Sequence, residues 1–186
     1  MPFTETSFPG LFIYEPNVFK DDRGYFFESY NFNTLYEGGF NGHFVQDNQA
    51  RSTYGVLRGL HFQHVPHAQT KLIRVLEGEI MDVVVDLRKG SPQYGRTFSI
   101  RLSAENKKQL LIPKGFAHGY AVLSPTAEVF YKCDAFYHKA AEGGVIYNDP
   151  ALEIDWGIPL DQAILSEKDL QLPRLQEVST QFTYPD

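Results

Sequence analysis

The chain has 186 residues, 42% of them hydrophobic and 22% charged, a composition that excludes disorder and lets one domain bury a core without disulfides or a structural metal. Its formal charge of −6 argues against a nucleic-acid backbone as the main partner, because that role calls for a basic face. No window approaches the roughly 20 apolar residues that cross a bilayer; a lone Cys133 and an N-terminal MPFTETSFPG without a basic start or apolar stretch lead us to expect a cytoplasmic protein.

Aromatic residues make up 15% of the chain and recur in short runs separated by Gly, Pro, Asn or Asp, which points to β structure. In chain order the predicted strands are Phe8 to Tyr14, Tyr25 to Tyr30, Phe44 to Ala50, Gly55 to Phe62, Lys71 to Leu76 and Ile80 to Leu87. Thr97 to Leu102, Gln109 to Ile112, Gly119 to Leu123 and Glu128 to Cys133 follow. Helical turns are predicted only at Phe32 to Glu37, Ala104 to Lys107 and Glu167 to Leu170. Many antiparallel strands and few helices, with no linker or repeat, predict a single all-β domain over residues 1–186. A jelly-roll barrel suits this pattern, with a ligand site at its mouth.

Lys71 to Leu76, Glu77-Gly78 and Glu79 to Leu87 read as a hairpin with a two-residue loop, Leu76 pairing with Glu79. That register puts Lys71, Ile73, Val75, Ile80, Asp82 and Val84 on one face, with Lys71 opposite Val84 and diagonal to Asp82. Opposite charges on an apolar face fit either a structural ion pair or a polar pocket inside a barrel.

In GVLRGLHFQ, strict alternation separates Arg58 from His61, but Gly59 permits a bulge that turns both toward one cavity. His61 is then either a structural histidine or a base. A metal is not expected: His61 and His64 are three apart in a strand, so they point to opposite faces, and no carboxylate lies between His61 and Glu77. PKGFAHGYAV contains His118, and EVFYKCDAFYH contains Tyr131 and Tyr137, each equally at home in a core. Asp169 follows Ser166, a natural cap for a turn beginning at Glu167, and can be an ordinary surface carboxylate.

The stretches DDRGYFFESY, FVQDNQARSTYGVLRGLHFQ, QTKLIRVLEGEIMDVVVDLRKGSPQYG, IPKGFAHGYAVLS, NDPALEIDWGIP and LSEKDLQLP together resemble the dTDP-4-dehydrorhamnose 3,5-epimerases, a branch of the cupin jelly rolls. The resemblance implies inversion of C3 and C5 of a dTDP-linked 4-keto-6-deoxyhexose without metal or other cofactor. It makes His61 the base, Asp169 its partner, Tyr131 the opposing acid and Lys71 the group near the enolate oxygen. It further assigns Arg23, Gln46, Asn48 and Arg58 to the nucleotide and its diphosphate, and Phe19, Glu28, His118 and Tyr137 to the lining. It also implies a homodimer whose N-terminal strands extend the partner's sheet, consistent with the runs PGLFIYEP and YFFESY. His67, His138, Lys139 and Tyr147 depart from the usual family pattern at the nucleotide rim. A single-centre epimerase and a non-catalytic sugar-nucleotide binding module stand as alternatives; the binding module is expected to lack the base, the acid or the enolate group, and all three types are present.

Overall fold

The computed structural model describes residues 3–185. Its strands run in chain order as β1 (Phe3–Glu5), β2 (Phe12–Tyr14), β3 (Phe19–Asp21), β4 (Gly24–Phe26), β5 (Gln46–Thr53), β6 (Leu57–Gln63) and β7 (Lys71–Glu77). They continue as β8 (Glu79–Asp86), β9 (Thr97–Ser103), β10 (Gln109–Ile112), β11 (Phe116–Val122), β12 (Thr126–Cys133) and β13 (Glu142–Gly144), with two short helices, α1 (Phe32–Glu37) and α2 (Glu167–Leu170). A six-stranded sheet in the order β1-β2-β10-β7-β12-β5 packs against a five-stranded sheet in the order β13-β6-β11-β8-β9; β3 and β4 pair only with each other. All these pairings are antiparallel, as expected for an all-β jelly roll.

The interior joins Ile73, Val75 and Val129 of the larger sheet to Ile80, Val84, Leu102, Phe116 and Val122 of the smaller. On β8 the alternate residues Val83 and Val85 point the other way, into a second core with Trp156, Val145, Leu152 and Phe182. The smaller sheet is therefore buried on both faces, which explains the unbroken apolar run at Val83 to Val85. On the larger sheet, Leu35 of α1 packs with Leu72 and Leu111.

The expected β7–β8 hairpin does not form. β7 pairs with β10 and β12, whereas β8 pairs with β11 and β9, so Gly78 carries the chain around a corner between sheets. Its φ is +77°, and a Cβ there would lie 2.0 Å from the Thr126 carbonyl oxygen. A glycine is required at such a corner for the reasons that favour it in a hairpin. Ile73, Val75, Ile80 and Val84 still share the interior, but across the barrel and not along one sheet.

Three other expectations shift; of the predicted Tyr25 to Tyr30 strand, the residues beyond Phe26 lie outside any strand. Only Phe12–Tyr14 of the first predicted strand is extended; Pro9 offers no N–H, Gly10 has φ +79°, and Leu11 N–H donates to the Phe8 carbonyl to close a turn. Ala104 to Lys107 is a turn and not a helix, because the Asn106 side chain accepts from the Ser103 and Lys108 N–H groups at 3.1 and 3.0 Å. Among the described residues no helix is long and apolar enough to cross a membrane.

Candidate active site

β6 sets the site. His118 of β11 pairs with His61 while Tyr120 pairs with Arg58, so two steps along β11 oppose three along β6. This is the expected bulge, centred on Gly59 with φ +121°; a Cβ there would meet Gly119 Cα at 2.5 Å. Both Arg58 and His61 consequently line one cavity of about 460 Å³. Lys71, His118, Tyr131 and Asp169 line it too. The Ser166 hydroxyl accepts from Asp169 N–H at 3.1 Å, capping α2, and the aspartate is directed inward.

Asp169 Oδ1 lies 2.6 Å from His61 Nε2, and Oδ2 accepts from Gly59 N–H at 3.4 Å. Burial alone would raise the Asp169 pKa, but hydrogen bonding and charge from His61, with the Gly59 N–H, outweigh it and hold the carboxyl below its usual range. An ionised carboxylate requires Nε2 to carry the proton, which leaves the lone pair on Nδ1. On the opposite wall stands Tyr131 of β12, whose pKa is pushed up to about 12, first by burial and then by Cys133 and Tyr120. It remains a protonated donor throughout the neutral range. Lys71 Nζ sits 5.9 Å from the Tyr131 ring centroid. Burial pulls the Lys71 pKa down, opposed by Cys133 and Asp82.

Asp82 is not the direct partner of Lys71 that the hairpin register implied. Its Oδ2 is 2.9 Å from His118 Nε2, and it faces Tyr120 and Ile100 across its own sheet. His118 is thus held in a second, buried His–Asp pair directly across from His61.

A smaller compartment shares His61, Lys71 and Tyr131 with the main cavity and adds Gln46, Asn48, Tyr137 and Glu142. Gln46 Nε2 donates to Asn48 Oδ1 at 3.0 Å, and Gln46 Oε1 accepts from Tyr137 N–H at 2.9 Å. Glu142 and Lys168, which drew no attention in the sequence, form an ion pair of 2.6 Å at this opening. Lys168 holds the Glu142 carboxyl below its usual range. Lys168 could have been noticed as the neighbour of Asp169, but Glu142 enters through the β13–β6 register, which no local pattern encodes. Tyr120 was likewise passed over.

Phe19, Arg23 and Glu28 are not brought into this cavity. Phe19 is 65% exposed and the Arg23 side chain 90% exposed, on or beside the separate β3–β4 hairpin, and Glu28 is exposed just beyond it. Of the rim departures, His67 and His138 stack with ring centroids 4.0 Å apart, and the Tyr147 carbonyl accepts from Trp156 Nε1 at 2.9 Å. Lys139 opens a short 3-10 turn before β13. Among the described residues no group of three or more His, Cys, Asp and Glu side chains is arranged to hold a metal ion.

A sequence profile of dTDP-4-dehydrorhamnose 3,5-epimerases matches residues 5–177. The enzyme of that name from Pseudomonas aeruginosa is 52% identical over 172 residues, covering 92% of this chain and 94% of its own length. The crystal structure of the Elizabethkingia anophelis enzyme superposes with a TM-score of 0.91 at 53% identity, covering 94% of this chain and 96% of that one. A Legionella pneumophila epimerase in complex with dTDP-4-keto-L-rhamnose gives a TM-score of 0.91 at 46% identity, covering 95% and 94% of the two chains.

Proposed function

The chain belongs to the dTDP-4-dehydrorhamnose 3,5-epimerase family and is an epimerase of that kind, and we propose that His61, Asp169, Tyr131 and Lys71 carry its reaction. It inverts C3 and C5 of dTDP-4-keto-6-deoxy-D-glucose to give dTDP-4-keto-L-rhamnose. The observation that supports these roles is a His61–Asp169 pair and a protonated Tyr131 on opposite walls of one cavity, with the Lys71 amine beside them.

A proton beside the C4 ketone becomes abstractable when the developing oxyanion is stabilised. Lys71 supplies the positive charge for that oxyanion from the cavity wall. His61 takes the proton on Nδ1, and Asp169 stabilises the imidazolium that results. Tyr131 then delivers a proton from the other side, inverting the carbon. Arg58, Gln46 and Asn48 receive the nucleotide diphosphate, with His118 and Tyr137 lining the site. Arginine suits this role because its fork donates parallel charge-assisted bonds to phosphate oxygens. Phe19, Arg23 and Glu28 act on a second copy of the chain, in a homodimer working in the cytoplasm. The exposure of Phe19 and Arg23 on a hairpin whose strands pair with each other, and of Glu28 just beyond it, supports the dimer.

The reaction is tested by incubating the protein with dTDP-4-keto-6-deoxy-D-glucose in deuterium oxide and following the sugar by NMR. Deuterium at C3 and C5 with both centres inverted is expected. Label at one carbon alone would make it a single-centre epimerase, and tight binding without exchange would make it a binding module.

A further inference from the structure

Arg58 makes no ion pair among the described residues; the Ser52 hydroxyl accepts from its Nε at 3.3 Å and from its Nη2 at 3.2 Å. Both contacts are long for a guanidinium. Behind them stands Tyr120, the cross-strand partner of Arg58, only 4% exposed, its ring anchored in the barrel core. Its hydroxyl is buried and meets no partner in full hydrogen-bonding geometry, yet Ser52 and Arg58 stand within reach of it and oppose the rise in its pKa that burial causes. A buried hydroxyl without a well-aligned partner is uncommon and calls for an explanation. Ser52 Oγ accepts from Arg58 and still has a proton to give, and the Tyr120 oxygen is an unused acceptor.

We propose that Tyr120 and Ser52 form a seat for Arg58, completed when substrate binds, which holds the guanidinium at the cavity for the diphosphate. This rests on the reading of Arg58 as a diphosphate ligand. The fixed tyrosine ring orients a hydroxyl, the hydroxyl orients Arg58, and the remaining guanidinium donors stay free for phosphate oxygens. Arranging the arginine beforehand reduces the side-chain entropy lost on binding. Tyr120 is thus a positioning residue, outside the proton transfers.

The test uses the full chain with Tyr120→Phe, Ser52→Ala, Arg58→Met and the Tyr120→Phe/Arg58→Met double variant. Steady-state kinetics, calorimetric titration with dTDP and thermal denaturation are measured on each. Loss of one seat hydrogen bond should raise KM and the dTDP dissociation constant by about two- to tenfold, with little change in kcat. The Tm should not fall in Tyr120→Phe, because that change removes a hydroxyl with no well-aligned partner in the free protein. Tyr120→Phe should have no further effect once Arg58 is Met, as expected of residues acting through one another. Ser52→Ala should reproduce the Tyr120→Phe loss. A Tyr120→Phe enzyme with normal dTDP affinity, or one equally impaired in the Arg58→Met background, overturns the seat while leaving the role of Arg58 intact. An Arg58→Met enzyme that binds dTDP normally overturns the diphosphate reading itself and the seat with it.

Discussion

In the proposed reaction His61 and Tyr131 act from opposite walls of one cavity, so their loss should affect proton traffic differently. His61→Ala removes the acceptor and should lower both exchange with solvent and inversion, by about 10²–10⁴-fold for one acid–base group. Tyr131→Phe should leave exchange running while inversion falls; parallel loss of both would make the tyrosine a packing or binding residue. Lys71 gives the pH dependence. Burial lowers its pKa from 10.5, so the ammonium is lost at a lower pH than in an exposed lysine, while Tyr131, at about 12, is still protonated there. The alkaline limb of kcat should therefore follow Lys71 and move upward in Lys71→Arg, whose guanidinium does not titrate. An unmoved limb in a pH profile of that variant would assign it to another group. His61, Lys71, Tyr131 and Asp169 were all legible as family-pattern residues. The tie between Asp82 and His118 was not, because it depends on which strand β8 lies against.

At the scale of elements, the bulge at Gly59 and the cap at Ser166 do separate jobs. Gly59→Ala would force a Cβ against the β11 backbone at 2.5 Å and should destabilise the fold by roughly 2–4 kcal/mol while turning His61 from its partner. Ser166→Ala should cost about 1 kcal/mol at most and loosen only the turn that carries Asp169, lowering kcat with little change in the urea midpoint. Denaturation and kinetics on the two variants separate these effects; a Ser166→Ala enzyme of normal kcat would show that α2 holds Asp169 without its cap. Both features were readable beforehand, since each uses residues adjacent in the chain. The hairpin at Glu77-Gly78 was misread for the same reason: the local signal is identical for a turn within a sheet and a corner between sheets.

For the whole molecule, the open question is where Phe19, Arg23 and Glu28 act. Phe19, Tyr25 and Phe26 are 65%, 58% and 70% exposed, a cost to a monomer that a second copy would remove. Among the described residues β1 also ends the larger sheet with an unpaired edge. Sedimentation should give a dimer at micromolar concentration. If Arg23 serves the partner's cavity, mixed His61→Ala and Arg23→Ala dimers would contain one site with both defects and one with neither. Re-associated mixtures should then recover about a quarter of wild-type activity by random pairing of two-fold symmetric subunits. No recovery would confine Arg23 to its own protomer.

The amino-acid sequence determined the all-β class, the position of most strands, the short helices at Phe32–Glu37 and Glu167–Leu170, and the residues able to carry proton transfer. The elements follow from periodicity, turn chemistry and capping among near neighbours, and the candidates for proton transfer from the family resemblance. The tertiary structure decided that Asp82 meets His118, that Glu142 reaches Lys168, and that β7 and β8 form opposite walls. Strand order and long-range register arise from packing both faces of the smaller sheet at once, a constraint of the whole core that no short window of residues contains.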